Sequence, residues 1–195
     1  MMILILTENM KSNTLNDVLY LAMQANHTID RVYAHWSAGW YGQAYEDYHI
    51  CIDADGKIYL MTDWFGEKKA HTWRRNSNAI GIALLCCADA KAKRGYNCDF
   101  GTAPPTHAQV DTLAQVTAVL SRGLGLPLDA AHFMTHCEVA VIDGYGPGSG
   151  DPETRWDLWY LPDFNKRDPL AYRVLGGAEW RGLSNEYLRK FYVLN

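Results

Sequence analysis

The chain has 195 residues, 48% of them hydrophobic, a formal net charge of −4 and no run of lysine and arginine. That length supports one well-filled core but not two full-sized domains, and the charge speaks against a nucleic-acid partner, since phosphate binding needs clustered cations. The 5 cysteines are odd in number and lack CxxC spacing, so they make no disulfide framework.

The opening MMILILTENMK has a short apolar run with no basic residues ahead of it and no small-residue cleavage site. It predicts a first strand rather than a secretory signal. No stretch approaches the roughly 20 apolar residues that span a bilayer. Over residues 14–25, Leu15, Val18, Leu19, Leu21 and Ala22 fall near one helical face, with Asn13 or Thr14 as cap. RVYAHWS at 31–37 is a strand that breaks into a glycine-rich aromatic stretch and so delivers His35 to a loop.

DYHICID and KIYLMT flank Asp55 and Gly56, a strong hairpin signal. AIGIALLCC at 79–87 is a continuous apolar run, as in a central strand covered on both faces; Cys86 and Cys87 within it are expected to be reduced and to pack as small hydrophobes. Residues 88–105 are small, charged or turn-forming and predict a long surface loop. Thr106 and Gln109 form a capping box before a helix carrying Val110, Leu113, Val116, Val119, Leu120 and Leu124, which should end at Gly123 or Gly125. AHFMTHCEVA leads into the glycine-rich DGYGPGSGDP, which is a shaped loop. Beyond Pro162 the chain turns polar and aromatic, with a short helix expected over 184–192. This divides the chain into a catalytic domain, 1–162, and a C-terminal extension of unassigned role, 163–195.

Three residues stand out where regular elements run into loops: His35, His136 and Asp151. Two imidazoles and a carboxylate leave a fourth position on tetrahedral zinc open, which separates a catalytic zinc from a structural one.

Four segments, AHWSAG at 34–39, DYHICIDADGKIY at 47–59, AHTWRRNSNAIGIALL at 70–85, and THCEVA followed by GSGDP, resemble the type 2 N-acetylmuramoyl-L-alanine amidases, the family that includes phage lysozyme-type amidases and peptidoglycan recognition proteins. The resemblance runs from about 31 to 157. It implies a mixed α/β fold, a central sheet flanked by helices, and a zinc held by His35, His136 and Asp151; the family's third ligand precedes a proline, which favours Asp151, while the long spacing from His136 makes Asp143 a competing carboxylate. It places a helper tyrosine at Tyr48, since the glutamate of the other branch of the family is replaced by Ala83 and Leu85. Ser149 stands two residues before Asp151, where many relatives carry lysine; Arg155 and His71 are candidates for the missing positive charge.

His71, Trp73 and Asn78 are the expected substrate-binding residues, His49 is expected in the core, and His132 is expected beside His136 behind the metal. The implied reaction is hydrolysis of the amide between N-acetylmuramic acid and L-alanine in peptidoglycan or a muropeptide. Rival readings are a non-catalytic peptidoglycan-binding module and a zinc peptidase acting on the stem peptide. The absence of a signal sequence is expected of an endolysin, an injected toxin with an immunity or delivery partner, or a recycling enzyme, with action on the cell wall after release or delivery in the first two cases.

Overall fold

The computed structural model describes residues 3–93, 97–145, 157–159, 161 and 175–193. In chain order the elements are β1 (Leu4–Leu6), α1 (Leu15–Gln24), β2 (Arg31–Trp36), β3 (Gln43–Tyr45), β4 (Ile50–Ile52), β5 (Ile58–Leu60), β6 (Ala79–Leu84), β7 (Lys91–Lys93), β8 (Asn97–Asp99), α2 (His107–Leu124), β9 (Phe133–Thr135), α3 (His136–Asp143) and α4 (Leu175–Val193). The fold is α/β: a mixed five-stranded sheet in the order β5-β4-β6-β2-β9, flanked by helices. β4, β6, β2 and β9 run parallel and β5 is antiparallel to β4.

Local chemistry explains the helix starts. Thr14 caps α1 by accepting from the Asp17 amide, and Asp17 reciprocates on the Thr14 amide at 2.7 Å. Thr106 and Gln109 do the same for α2, which closes at Gly125. The Gln109 side-chain amide also reaches into the sheet, donating to the carbonyls of Ile52 and Leu85 and so fixing α2 on β4 and β6.

The strand period of 2 sorts the sheet into two faces. Val32, Ala34, Trp36, Ile50, Ile52, Ile80, Ile82 and Leu84 join Val18, Leu21 and Ala22 of α1 and Val110, Leu113, Val116 and Leu120 of α2 in the main core. On the opposite face Tyr33 pairs with Gly81 and His35 with Ala83. There the β1–β3 ribbon contributes Ala44 and Tyr45, packed with Cys51, Tyr59, Ala83 and Leu85. Gly81 has no side chain for a reason: a Cβ there would lie 2.5 Å from Cγ of His71, so the 70–78 loop sits directly on the strand.

The first strand is present as expected, in a small ribbon with β3. Three other expectations are revised. The loop over 88–105 contains a hairpin, β7 paired with β8, whose Lys-Ala-Lys and Asn-Cys-Asp strands offer no apolar alternation to read. His132 lies at the entry end of β9, half-buried, with its Nδ1 2.7 Å from Asp129 Oδ1, and so stands away from His136.

The helix near the C-terminus is longer than expected and belongs to the core. Trp180 of α4 is fully buried, donates from Nε1 to Thr117 Oγ1 at 2.9 Å and packs against Phe133. Cys51, Cys86, Cys87 and Cys137 are free and buried, and burial pushes the Cys51 thiol up to about 12. No described helix is long and apolar enough to cross a membrane.

Replacing Trp180 with alanine is expected to cost about 3–5 kcal/mol, the usual range for emptying a buried aromatic site. Urea unfolding measures it; an unchanged midpoint would mean that α4 docks without supporting the domain.

Candidate metal centre and active site

The site lies at the carboxyl ends of the parallel strands, where open α/β sheets bind ligands. His35 is the penultimate residue of β2, and His136 opens α3 directly after β9. Because Ala34 of β2 pairs with Thr135 of β9 in parallel register, the next residue on each chain lies side by side. Their Nδ1 atoms are 3.0 Å apart. Asp157 completes the group, its Oδ2 lying 3.3 Å from each Nδ1.

These three atoms form the one group of potential metal donors found among the described residues. Tetrahedral zinc with bonds of about 2.0–2.1 Å needs ligand atoms about 3.3–3.4 Å apart. The observed separations of 3.0, 3.3 and 3.3 Å fit that spacing. The donor chemistry fits as well. Neutral imidazole and carboxylate suit zinc, and three lone pairs converging in a buried place call for a cation or for protons between them.

Hydrogen bonds behind His35 favour Nδ1 as the donor atom. Its Nε2 lies 3.3 Å from Thr72 Oγ1, which in turn lies 2.9 Å from Nδ1 of His71. If His35 donates from Nε2 to Thr72 and Thr72 donates to His71 Nδ1, His35 Nδ1 keeps its lone pair for the site. Thr72 is itself held by its amide, which donates to Asn76 Oδ1 at 2.7 Å. His136 Nε2 is buried and without a hydrogen-bond partner among the described residues.

The electrostatics hold each group in a definite state. Burial disfavours ionised Asp157, but the neighbouring His136, by charge and hydrogen bond, and then His35, outweigh it and hold the carboxyl well below its usual range. Burial, followed by the Asp157 charge, pushes the Tyr48 hydroxyl far above its usual value, so it stays a hydrogen-bond donor. His49 is fully buried, its Nε2 2.8 Å from the Glu67 carbonyl, while Nδ1 accepts from the Gly81 amide. Burial pulls its pKa down to about 4, which keeps it neutral. It is a core residue, as expected.

A cleft of about 460 Å³ opens above the three donors, lined by Trp36, Ser37, Tyr48, His71, Trp73 and Asn76 with His136 and Asp157. Tyr48, His71 and Trp73 are thus brought to the site. The Tyr48 ring centroid is 5.3 Å from that of His35. His71 is mostly buried between His35 and His49, each 5.5 Å away, so its larger contact is with the metal-ligand candidate and not with open cleft.

Asn78 is placed elsewhere. It sits at the entry of β6, about 16 Å along the strand from the level of His35, and its side chain reaches Asp30 at 3.4 Å. Asn76 takes the place in the cleft. Asp143 is engaged by Arg75, which donates from Nε at 2.8 Å and from a terminal nitrogen at 2.5 Å, and is not beside the imidazoles.

Trp73 also walls a second cleft, of about 440 Å³, lined by Arg31, Tyr33, Arg74, Arg75, Ser77 and Asp143. Arg74 stacks over the Trp73 ring at 4.3 Å.

Asp151, Ser149 and Arg155 lie outside the described residues. Asp157 was missed because no proline follows it. A signal for it existed: Arg155 stands two residues before Asp157, at the spacing where the resemblance places a cation, whereas Asp151 has Ser149 there.

The family model for N-acetylmuramoyl-L-alanine amidase matches residues 12–153, most of the chain. The protein belongs to this amidase family. The match takes in His35 and His136 and ends four residues before Asp157. No curated protein matches the chain.

With Asp157 as the third donor, Asp157→Ala is expected to weaken zinc binding by more than about 100-fold, since even partners behind a ligand are worth 10–100-fold. Asp151→Ala should leave it intact. Calorimetric titration of both variants reads the difference; the reverse pattern would move the carboxylate to position 151.

Proposed function

We propose that the protein is a zinc-dependent amidase that hydrolyses the bond between the N-acetylmuramoyl group and L-alanine of peptidoglycan or its muropeptides. The observation that carries this reading is the convergence of His35 Nδ1, His136 Nδ1 and Asp157 Oδ2 at tetrahedral spacing beneath an open cleft, in a chain of the amidase family. His35, His136 and Asp157 hold the zinc, which supplies Lewis acidity at neutral pH when bound.

An amide resists hydrolysis because its carbonyl is a weak electrophile and its nitrogen a poor leaving group. Tyr48 serves the carbonyl: half-buried beside His35 and kept protonated, its hydroxyl donates a hydrogen bond to the oxygen that gains charge as the tetrahedral intermediate forms. Arg155 is the natural cation for the same charge, two residues before Asp157, and Ser149 offers a weaker neutral donor. Thr72 holds the His35 ring, and Trp73 forms a wall against which the substrate lies.

The arginine cleft gives the peptide a direction. Arg31 and His35 share one face of β2 four residues apart, about 13 Å, which is about four residues of extended peptide. With L-alanine at the metal, the carboxylates of the stem peptide reach Arg31 and Arg74.

Digestion of purified peptidoglycan followed by mass analysis is the test. The reading requires free stem peptides with an intact L-alanine amino terminus, and unsubstituted glycan. Cleavage inside the peptide would make the protein a peptidase, and binding without products would make it a recognition module. Tyr48→Phe should keep zinc and lower kcat by about 10²–10³, the cost of losing one oxyanion donor. Arg74→Glu should raise KM for muropeptides while leaving kcat near the parent value; an unchanged KM would exclude the arginine cleft from binding.

A further inference from the structure

We propose that α4, which lies beyond the family match, is a structural part of the metal centre: Arg181, with Gly176 and Gly177, locks the two segments that carry His136 and Asp157. This rests on the metal reading above and adds to it a positioning role for the C-terminal helix.

The argument begins at Glu138. In the first turn of α3 its carboxylate accepts from the Thr135 amide at 2.9 Å, while its own amide donates to Thr135 Oγ1 at 3.2 Å. This capping box encloses His136, the first residue of the helix, and sets the direction in which its ring leaves the backbone. Arg181 then grips the same carboxylate with both terminal nitrogens, at 2.9 and 2.8 Å, and donates once more to the Phe133 carbonyl at 2.9 Å. One planar guanidinium therefore ties the start of β9 to the first turn of α3, with His136 between them. Both Arg181 and Glu138 are buried, so the contact is shielded from solvent.

The first turn of α4 holds the other ligand segment. The Gly176 amide donates to the Trp159 carbonyl at 3.2 Å, and a Cβ on Gly176 would stand 1.8 Å from the Leu158 carbonyl oxygen. A Cβ on Gly177 would stand 2.3 Å from the Glu138 carboxylate. The two glycines let the helix backbone rest directly on the residues that follow Asp157 and on the cap of α3. Leu158 adopts φ +58, a left-handed conformation rare for a branched side chain, which persists only where surrounding contacts impose it. The Asp157 carbonyl in turn accepts from the Cys137 amide at 3.4 Å, closing the connection between the two segments.

A purely structural ion pair would support the core and leave the metal untouched, so the test reads the metal. Two variants are compared with the parent in the full chain. The double variant Arg181→Met/Glu138→Gln leaves no buried charge unpaired and keeps an acceptor for the Thr135 amide; Gly177→Ala crowds Glu138 while raising helix propensity. For both, zinc affinity is measured by chelator competition, the cobalt-substituted protein is examined by visible absorption, and urea unfolding records stability.

The expected result is a loss of zinc affinity of about 10–100-fold and an altered cobalt spectrum in both, including Gly177→Ala with its fold intact. Parent affinity and spectrum in Gly177→Ala would overturn the proposal, even if the double variant is destabilised or fails to fold. A parent protein that binds neither metal would overturn the metal reading itself, and the proposal with it.

Discussion

The parallel pairing of β2 with β9 is the constraint on which the rest of the site depends. It brings together two histidines separated by 101 positions in sequence and aims both Nδ1 atoms at one point. Without that register the imidazoles would be two unrelated side chains at two strand ends. With it, a single carboxylate is enough to complete a three-donor set. Everything around the sheet serves the register: α1, α2 and α4 fill one face with apolar side chains, and the opposite face carries the buried histidines beside a smaller apolar cluster.

The polar part of that second face is held at a cost that burial makes visible. His49 is driven neutral, the Tyr48 hydroxyl is kept protonated, and Asp157 stays ionised because two imidazoles face it. Desolvation acts on all three, and the neighbours decide the outcome. The result is one anion and a donor hydroxyl around one point, an arrangement suited to holding a cation and to stabilising negative charge that develops beside it.

Much of this was legible in the sequence because the signals were local. Thr14 with Asp17, Thr106 with Gln109, the Asp55–Gly56 hairpin and the apolar run of β6 each act within a few residues. His35 and Tyr48 were readable from short motifs. What was not legible depends on distant partners. Asp157 joins the histidines through tertiary contact and lacks the proline that pointed to Asp151. Asn78 was expected in the cleft, yet the strand carries it to the far end of the sheet, while Asn76, two residues earlier, lines the site. Helix α4 looked like an appendage because its apolar residues are few; its hold on the core centres on one fully buried tryptophan and one buried arginine, with Leu183 and Phe191 packed beside them.

The central claim is that His35, His136 and Asp157 hold one zinc ion. Anomalous diffraction at the zinc edge from crystals of the zinc-loaded protein tests it most directly. The account predicts a single strong peak with His35 Nδ1, His136 Nδ1 and an Asp157 carboxylate oxygen at about 2.0–2.2 Å. A peak ligated by Asp151, or one away from the two histidines, would contradict it.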